Sequence, residues 1–205
     1  GGAIGAALLV SKENNEKLEY LPNPYLGTYY PNKYIEKNII KKIKNMKNFK
    51  YTYYQNLDDL NDKVCNQLAN EGVVGWFQDR MEWGPRALGN RSILGDPRNP
   101  EMRDIINTKI KRREEFRPFA PSVLGERASE YFKIEKDSPY MCSVYEVIED
   151  KKYAIPAVVH IDGTARVQTV DKKMNEKFYN LIKKFGDLTG IPIILNTSLN
   201  IDEPI

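Results

Sequence analysis

The chain has 205 residues, with 31 Lys+Arg against 28 Asp+Glu, 41% hydrophobic and 29% charged residues; this excludes disorder as the main state and fits one complete domain with a piece of a second. No apolar run approaches the ~20 residues that span a membrane, and there is no charged-then-apolar leader, so a cytoplasmic protein without a membrane partner is expected. Cys65 and Cys142 are far apart and form no CxxC, which excludes a disulfide framework and a zinc site and fits a reducing compartment.

Residues 1–10 (GGAIGAALLV) read as a small-residue helix that packs tightly against something, and both chain ends read as cut from a longer polypeptide. Residues 11–33, with Pro22, Pro24, Gly27 and Pro31, have linker composition. Ile35, Ile39, Ile40, Ile43 and Met46 predict a helix over 34–49 whose lysines form a solvated face. A second helix is expected over 57–70, capped by Asp58 or Asp59, with Leu60, Val64 and Leu68 inward and Gly72 as its stop. Residues 73–77 predict a strand. Met102, Ile105, Ile106 and Ile110 predict a helix over 100–110, with Pro100 in its first turn. Further strands are expected over 120–124, 141–147, 155–161, 166–170 and 191–195, with a helix over 175–189 stopped by Gly190 and Pro192. This irregular alternation predicts an α/β (α+β) fold, a mixed β-sheet flanked by helices.

The cations are unevenly divided. Ten are Arg and 21 are Lys, and eight of the Arg fall between Arg80 and Arg117. Lys keeps a surface wet equally well, whereas Arg is needed where a planar fork grips carboxylate or phosphate oxygens in pairs. Three stretches carry the candidate chemistry. In residues 75–94, Gly84 and Gly89 would let backbone amides approach a ligand and Arg86 would supply charge. The alternative is that Arg86 and Arg91 pair with Glu82 or Asp96 on the surface. In residues 109–124, Lys111 and Arg117 could converge on one anion, while Arg112, Arg113, Glu114 and Glu115 read as a solvated charge cluster. In residues 160–170 and 191–200, a turn at Asp162-Gly163-Thr164 presents Arg166, and a polar run from Asn196 to Asn200 follows a buried strand. His160, the only histidine, reads as pocket lining or a satisfied strand-end residue. No Ser-His-Asp, Cys-His or paired-carboxylate arrangement is legible, and Arg, Lys, Ser and Asn suit electrostatic stabilisation of an anion without covalent catalysis.

In this order, GWFQDRMEWGPRALGNRSILGDPRNPEMRDIIN, KRREEFRPFAPSVL, IPAVVHIDGTARVQTV and GIPIILNTSLN resemble the C-terminal half of the O-carbamoyltransferases of the NodU/CmcH family. The resemblance covers residues 72–205 closely. Over 1–71 it rests on GGAIGAALLV and Tyr25-Leu26-Gly27. It implies a YrdC-like domain with a twisted sheet over 31–205, truncated at its C-terminal end. Residues 1–30 would then be the stub and linker of an ASKHA-type (actin-like) domain of the same parent chain.

The YrdC-like domain of such enzymes turns carbamoyl phosphate and ATP into carbamoyl-adenylate, with Mg2+ alongside, and the larger domain passes the carbamoyl group to an acceptor hydroxyl. The resemblance assigns Arg86, Lys111, Arg117 and Arg166 to the phosphates, with Lys111, Arg117 and Arg166 catalytic. It assigns Ser198 and Asn200 to nucleotide and small acid. The family's transition metal belongs to the larger domain, whose histidines are missing here, so no such metal is expected in this chain, nor transfer to an acceptor by it alone. Two other readings stand beside this one: a threonylcarbamoyl-adenylate synthase of tRNA modification, and a non-catalytic anion- or RNA-binding module. Ten basic against six acidic residues over 80–117, a net of +4, argues against nucleic acid.

Overall fold

A computed structural model describes residues 2–17, 23–44 and 46–201. Gly1, Pro22 and the chain end after Ile201 lie outside these. Helix α1 (Gly2–Glu13) buries none of its side chains, and Leu9 and Val10 are 57% and 56% exposed. The expected helix over 34–49 is shorter and irregular. Helix α2 (Asn32–Ile35) passes through a π-helical turn (Glu36–Ile40) into α3 (Lys41–Ile43), and none of these segments buries a side chain. Among the described residues no core completes its apolar stripe: Ile39 and Met46 are exposed.

Helix α4 (Leu57–Ala69) starts where expected, but its cap is Asn56 and not Asp58 or Asp59: the Asn56 side chain accepts from the Asp58 amide. Asp58 and Asp59 instead occupy the first turn, where their charge complements the helix dipole. Strand β1 (Val74–Phe77) follows, then β2 (Arg91–Gly95), a strand the sequence does not announce. All five β2 residues are buried, Arg91 and Ser92 among them, so no apolar–polar alternation marks it. Helix α5 (Met102–Ile105) continues as a π-helical turn (Ile106–Lys111) and stops at Arg112, which turns the chain with φ of 49°.

Strand β3 (Ala120–Leu124) matches its expected bounds. The strand expected over 141–147 shrinks to β4 (Tyr145–Glu146), paired with β5 (Thr164–Ala165) in a two-stranded sheet. The strand expected over 155–161 does not form. Pro156 cannot donate to a ladder, and the segment folds as 3-10 turns (Glu149–Ala154 and Pro156–Val158) that bury Ile155, Ala157 and Val158. Strand β6 (Gln168–Val170) precedes α6 (Glu176–Thr189), which is capped by Asn175 and ended by Gly190 at φ of 79°. Strand β7 (Ile193–Ser198) runs three residues beyond its expected end, placing Asn196 and Ser198 in the strand itself.

Among the described residues the main sheet has five strands in the order β1-β2-β7-β3-β6, mixed in direction: β3 and β6 are parallel and the other pairs antiparallel. The α/β class is therefore as expected. Alternate residues of the central strand face opposite layers. Ile193 and Leu195 pack with Met102, Ile106, Ile155 and Val158, whereas Ile194 packs with Val64 and Leu68 of α4 and Phe178, Leu181 and Phe185 of α6. Helices thus cover both faces, and β7 is fixed between them with its polar C-terminal end at the edge of the core.

Candidate anion site at the end of the central strand

Buried amides form the base of the site. Asn196 Nδ2 on β7 donates to Ser122 Oγ of β3 at 3.0 Å, Gln168 Oε1 of β6 at 3.1 Å and the Ala87 carbonyl at 3.2 Å. Gln168 Nε2 in turn donates to the Leu88 carbonyl at 3.0 Å. These contacts tie the loop after β1 to two strands. They also set where three cations stand: Arg86 just before Ala87, Arg166 two residues before Gln168, and Lys111 on Ser198, which lies about 7 Å along the strand from Asn196 at ~3.4 Å per residue.

The loop from Gln78 to Asn90 is held from within by Glu82. Its Oε1 accepts the amides of Leu88 at 2.7 Å, Asn90 at 2.8 Å and Arg91 at 3.2 Å. Arg91 is buried, donates to the carbonyls of Thr28, Asp79, Gln78 and Asn90, and lies 3.6 Å from the centroid of the Phe77 ring. The surface pairing of Arg91 with Glu82 or Asp96 is therefore absent: Asp96 holds Arg98 at 2.6 Å, and Glu82 holds backbone. Gly89 serves packing rather than a ligand. Its φ is 102°, its amide donates to Ser92 Oγ, and a Cβ there would stand 2.2 Å from the Phe178 ring. Gly84, at φ of 129°, faces open space.

Lys111 closes the α5 turn with its side chain buried, 2% of the residue being exposed. Its Nζ donates to the Ser198 carbonyl, to Ser198 Oγ at 3.1 Å, and to the carbonyl and Oδ1 of Asn200, both at 2.8 Å. Ser198 Oγ also donates to Asn200 Oδ1 at 2.5 Å. The structure thus brings together Lys111, Ser198 and Asn200. Burial, and secondarily the charge of Arg113, pushes the Lys111 pKa down to about 8.

Arg86 is exposed at the loop apex, its Nη1 3.5 Å from the Pro85 carbonyl. Arg166 is half-buried. Its Nε is fully buried and has no hydrogen-bond partner among the described residues, and burial first, then the charge of Arg86, disfavours its protonated form. Two neighbouring guanidinium groups repel, and an anion between them would relieve that repulsion. His160 Nδ1 lies 3.0 Å from Thr164 Oγ1, the satisfied arrangement; burial holds its pKa down, Arg166 adds to that, and Asp162 opposes it. Arg117 stands apart from Lys111: it is exposed and pairs with Glu114 at 2.9 Å, a surface contact screened by solvent. Arg113, by contrast, is half-buried and fixed, not part of a solvated cluster. No group of three His, Cys, Asp or Glu side chains among the described residues could hold a metal ion, and no helix among them is long and apolar enough to cross a membrane.

The Lys111 pKa has a consequence for stability. Lys ordinarily titrates near 10.5, so between pH of about 8 and 10.5 the unfolded chain binds the proton that the folded chain releases. The cost of the buried ammonium is present below pH 8 and lifts as pH rises, a gain of up to about 3 kcal/mol. Cys65 and Tyr179, both pushed up to about 12, lose stability above their ordinary values and oppose this trend. The measurable quantity is therefore the stability of the wild type minus that of Lys111→Met in denaturant titrations. It should rise between pH 8 and 10; a flat difference contradicts the lowered pKa.

The sequence does not identify Glu82, Arg91, Asn107, Gln168 and Asn196 as organisers of this region: Gln168 and Asn196 have partners on other strands and loops, and Glu82, Arg91 and Asn107 bind backbone that no pattern announces. The carbamoyltransferase C-terminus family matches residues 65–205. An uncharacterised protein of Synechocystis sp. is 42% identical over the whole chain, which covers 37% of that protein. Nodulation protein NolO of Bradyrhizobium diazoefficiens is 43% identical, again over the whole chain and 38% of its own length. An uncharacterised protein of Methanocaldococcus jannaschii is 39% identical over 98% of the chain and 33% of its length. The chain thus spans little more than a third of the length of these curated relatives. With a match over most of its residues and relatives from bacteria and an archaeon, the chain belongs to the carbamoyltransferase C-terminus family.

Proposed function

We propose that this chain is the adenylate-forming part of a carbamoyltransferase, a YrdC-like unit that binds carbamoyl phosphate and ATP. Carbamoyl phosphate, ATP and water give carbamoyl-adenylate, inorganic phosphate and pyrophosphate, and a partner domain of the parent chain transfers the carbamoyl group to an acceptor hydroxyl. The observation that carries this reading is a set of fixed cations: Arg86 and Arg166 neighbour each other beside the buried amides of β6 and β7, and Lys111 is held on Ser198 at the end of β7. Such chemistry needs no protein nucleophile. A carbamate oxygen attacks the α-phosphorus, pyrophosphate leaves, and fixed cations offset the charge that accumulates.

Ser198 and Asn200, fixed by Lys111, present hydroxyl and amide groups to the nucleotide and the small acid. Magnesium enters on the nucleotide's phosphates, since the cations and neutral amides here suit phosphate oxygens and not a metal cage. Helix α1 supports the assignment of residues 1–30 to the edge of an adjoining ASKHA-type domain: it is apolar and covered by nothing among the described residues.

Calorimetric titration of carbamoyl phosphate into the full-length parent protein tests the reading. Arg86→Ala and Arg166→Ala should each weaken binding at least about tenfold, the scale of a lost charge-assisted contact. Neither should lower the melting temperature, because each removes one side of a repulsion. Unchanged affinity with a lowered melting temperature would assign these arginines to the fold and overturn the reading.

A further inference from the structure

Arg113 does not behave as a surface residue. The chain turns at Arg112 in the left-handed region, and the Arg113 amide then donates to the Asn107 carbonyl at 3.1 Å. Its Nε donates to Asn107 Oδ1 at 2.8 Å, and the guanidinium carbon stands 5.1 Å from the centroid of the Phe119 ring, a buried residue. Asn107 is itself fully buried, and its Nδ2 donates to the carbonyls of Glu115 at 3.1 Å and Arg117 at 2.9 Å. One amide therefore fixes Arg113 and the loop that leads to Arg117.

Burial disfavours the Arg113 charge, and the charges of Lys111 and Arg117 both act on or receive its field. Among the described residues no carboxylate forms an ion pair with Arg113; Glu114, the only opposing charge acting on it, pairs with Arg117. Arg113 thus shares its field with Lys111 and with Arg117, and one exposed carboxylate opposes it. Like charges in this arrangement cost free energy in the empty protein, and a polyanion is the ligand that reverses that cost. A half-buried guanidinium tied at Nε and set over a ring keeps its remaining N–H groups in a fixed direction at little further entropic cost.

We propose that Arg113 is a further positioning residue of this site: a cation fixed by Asn107, two residues along the chain from Lys111, that acts with Lys111 to strengthen the hold on phosphate. The inference rests on the functional reading above. It goes beyond that reading in giving a role to a residue outside the phosphate-binding set. Among the described residues Arg113 is the one charged group that acts on Lys111; Ser198 and Asn200, which face it from the end of β7, are neutral. Removing the Arg113 charge raises the pH at which Lys111 loses its proton.

The test is calorimetric binding of inorganic pyrophosphate and of carbamoyl phosphate to the full-length protein across pH 6.5–9.5 (about one and a half units on either side of the Lys111 value). In the wild type, affinity should fall as pH passes about 8, where Lys111 becomes neutral. In Arg113→Gln the affinity should drop about tenfold at pH 7, and the midpoint of its fall should move to higher pH. Arg113→Lys, which keeps the charge, should retain the wild-type midpoint. Arg112→Gln removes the same charge from the exposed neighbour and should leave both quantities unchanged, so a general effect of net charge is separated from a local one. Wild-type binding with an Arg113→Gln variant of equal affinity and midpoint overturns the role of Arg113 and leaves the functional reading standing. A wild type that binds neither ligand overturns both.

Discussion

Replacing Lys111 by methionine should reduce carbamoyl-phosphate-dependent pyrophosphate release by about a thousandfold or more, the scale of losing a charged group aimed at a developing anion. Two losses combine. The site loses its buried cation, and the Ser198 and Asn200 groups lose the ammonium that sets their orientation. Stability should change far less. Methionine fills similar apolar volume and removes the cost of a buried charge, while the ammonium's hydrogen bonds to Ser198 and Asn200 are lost. The opposing terms leave a melting temperature within several degrees of the wild type at pH 7. Activity retained in Lys111→Met would mean that this cluster is only a clasp for the end of β7.

The largest effect on the fold is expected at Glu82. One carboxylate oxygen accepts three backbone amides, those of Leu88, Asn90 and Arg91. Glu82→Ala strands all three, each at ~1–3 kcal/mol, so the total is on the order of 3–9 kcal/mol. For a domain of this size that corresponds to a fall in melting temperature of about 10 °C or more. Glu82→Gln keeps one acceptor oxygen and should fall by less. Because the Gln78–Asn90 loop carries Arg86, carbamoyl phosphate binding should weaken with it. Thermal melts and titrations on the same samples check both parts; a Glu82→Ala protein with wild-type melting would show that the loop is held by Arg91 and the Gln78–Asn90–Asn175 amides alone.

These two residues differ in how far the sequence reveals them. Lys111, Ser198 and Asn200 are reachable through resemblance to the NodU/CmcH family. The structure brings Lys111 and Ser198 into contact across 87 positions, which no local pattern could indicate. Glu82 and Asn107 carry no sequence signal at all, because an acidic or amide side chain that binds nearby backbone reads the same as a solvated one. The elements follow a similar division. Helix α6 and strands β1 and β3 are legible because apolar periodicity and flanking Gly or Pro agree. Strand β2 is not, since its first residues, Arg91 and Ser92, are polar side chains consumed by loop backbone. The segment around Pro156 misleads in the other direction: its apolar residues are buried as expected, but by 3-10 turns that need no strand partner.

Domain assignment and activity share one decisive observable. Carbamoyl-adenylate formation is reversible at the phosphorus, so radiolabelled pyrophosphate should pass into ATP in the presence of the full-length protein, magnesium and carbamoyl phosphate. The exchange should vanish when carbamoyl phosphate is omitted and in Lys111→Met. Exchange that requires threonine and bicarbonate, or none under any of these conditions, would contradict the account.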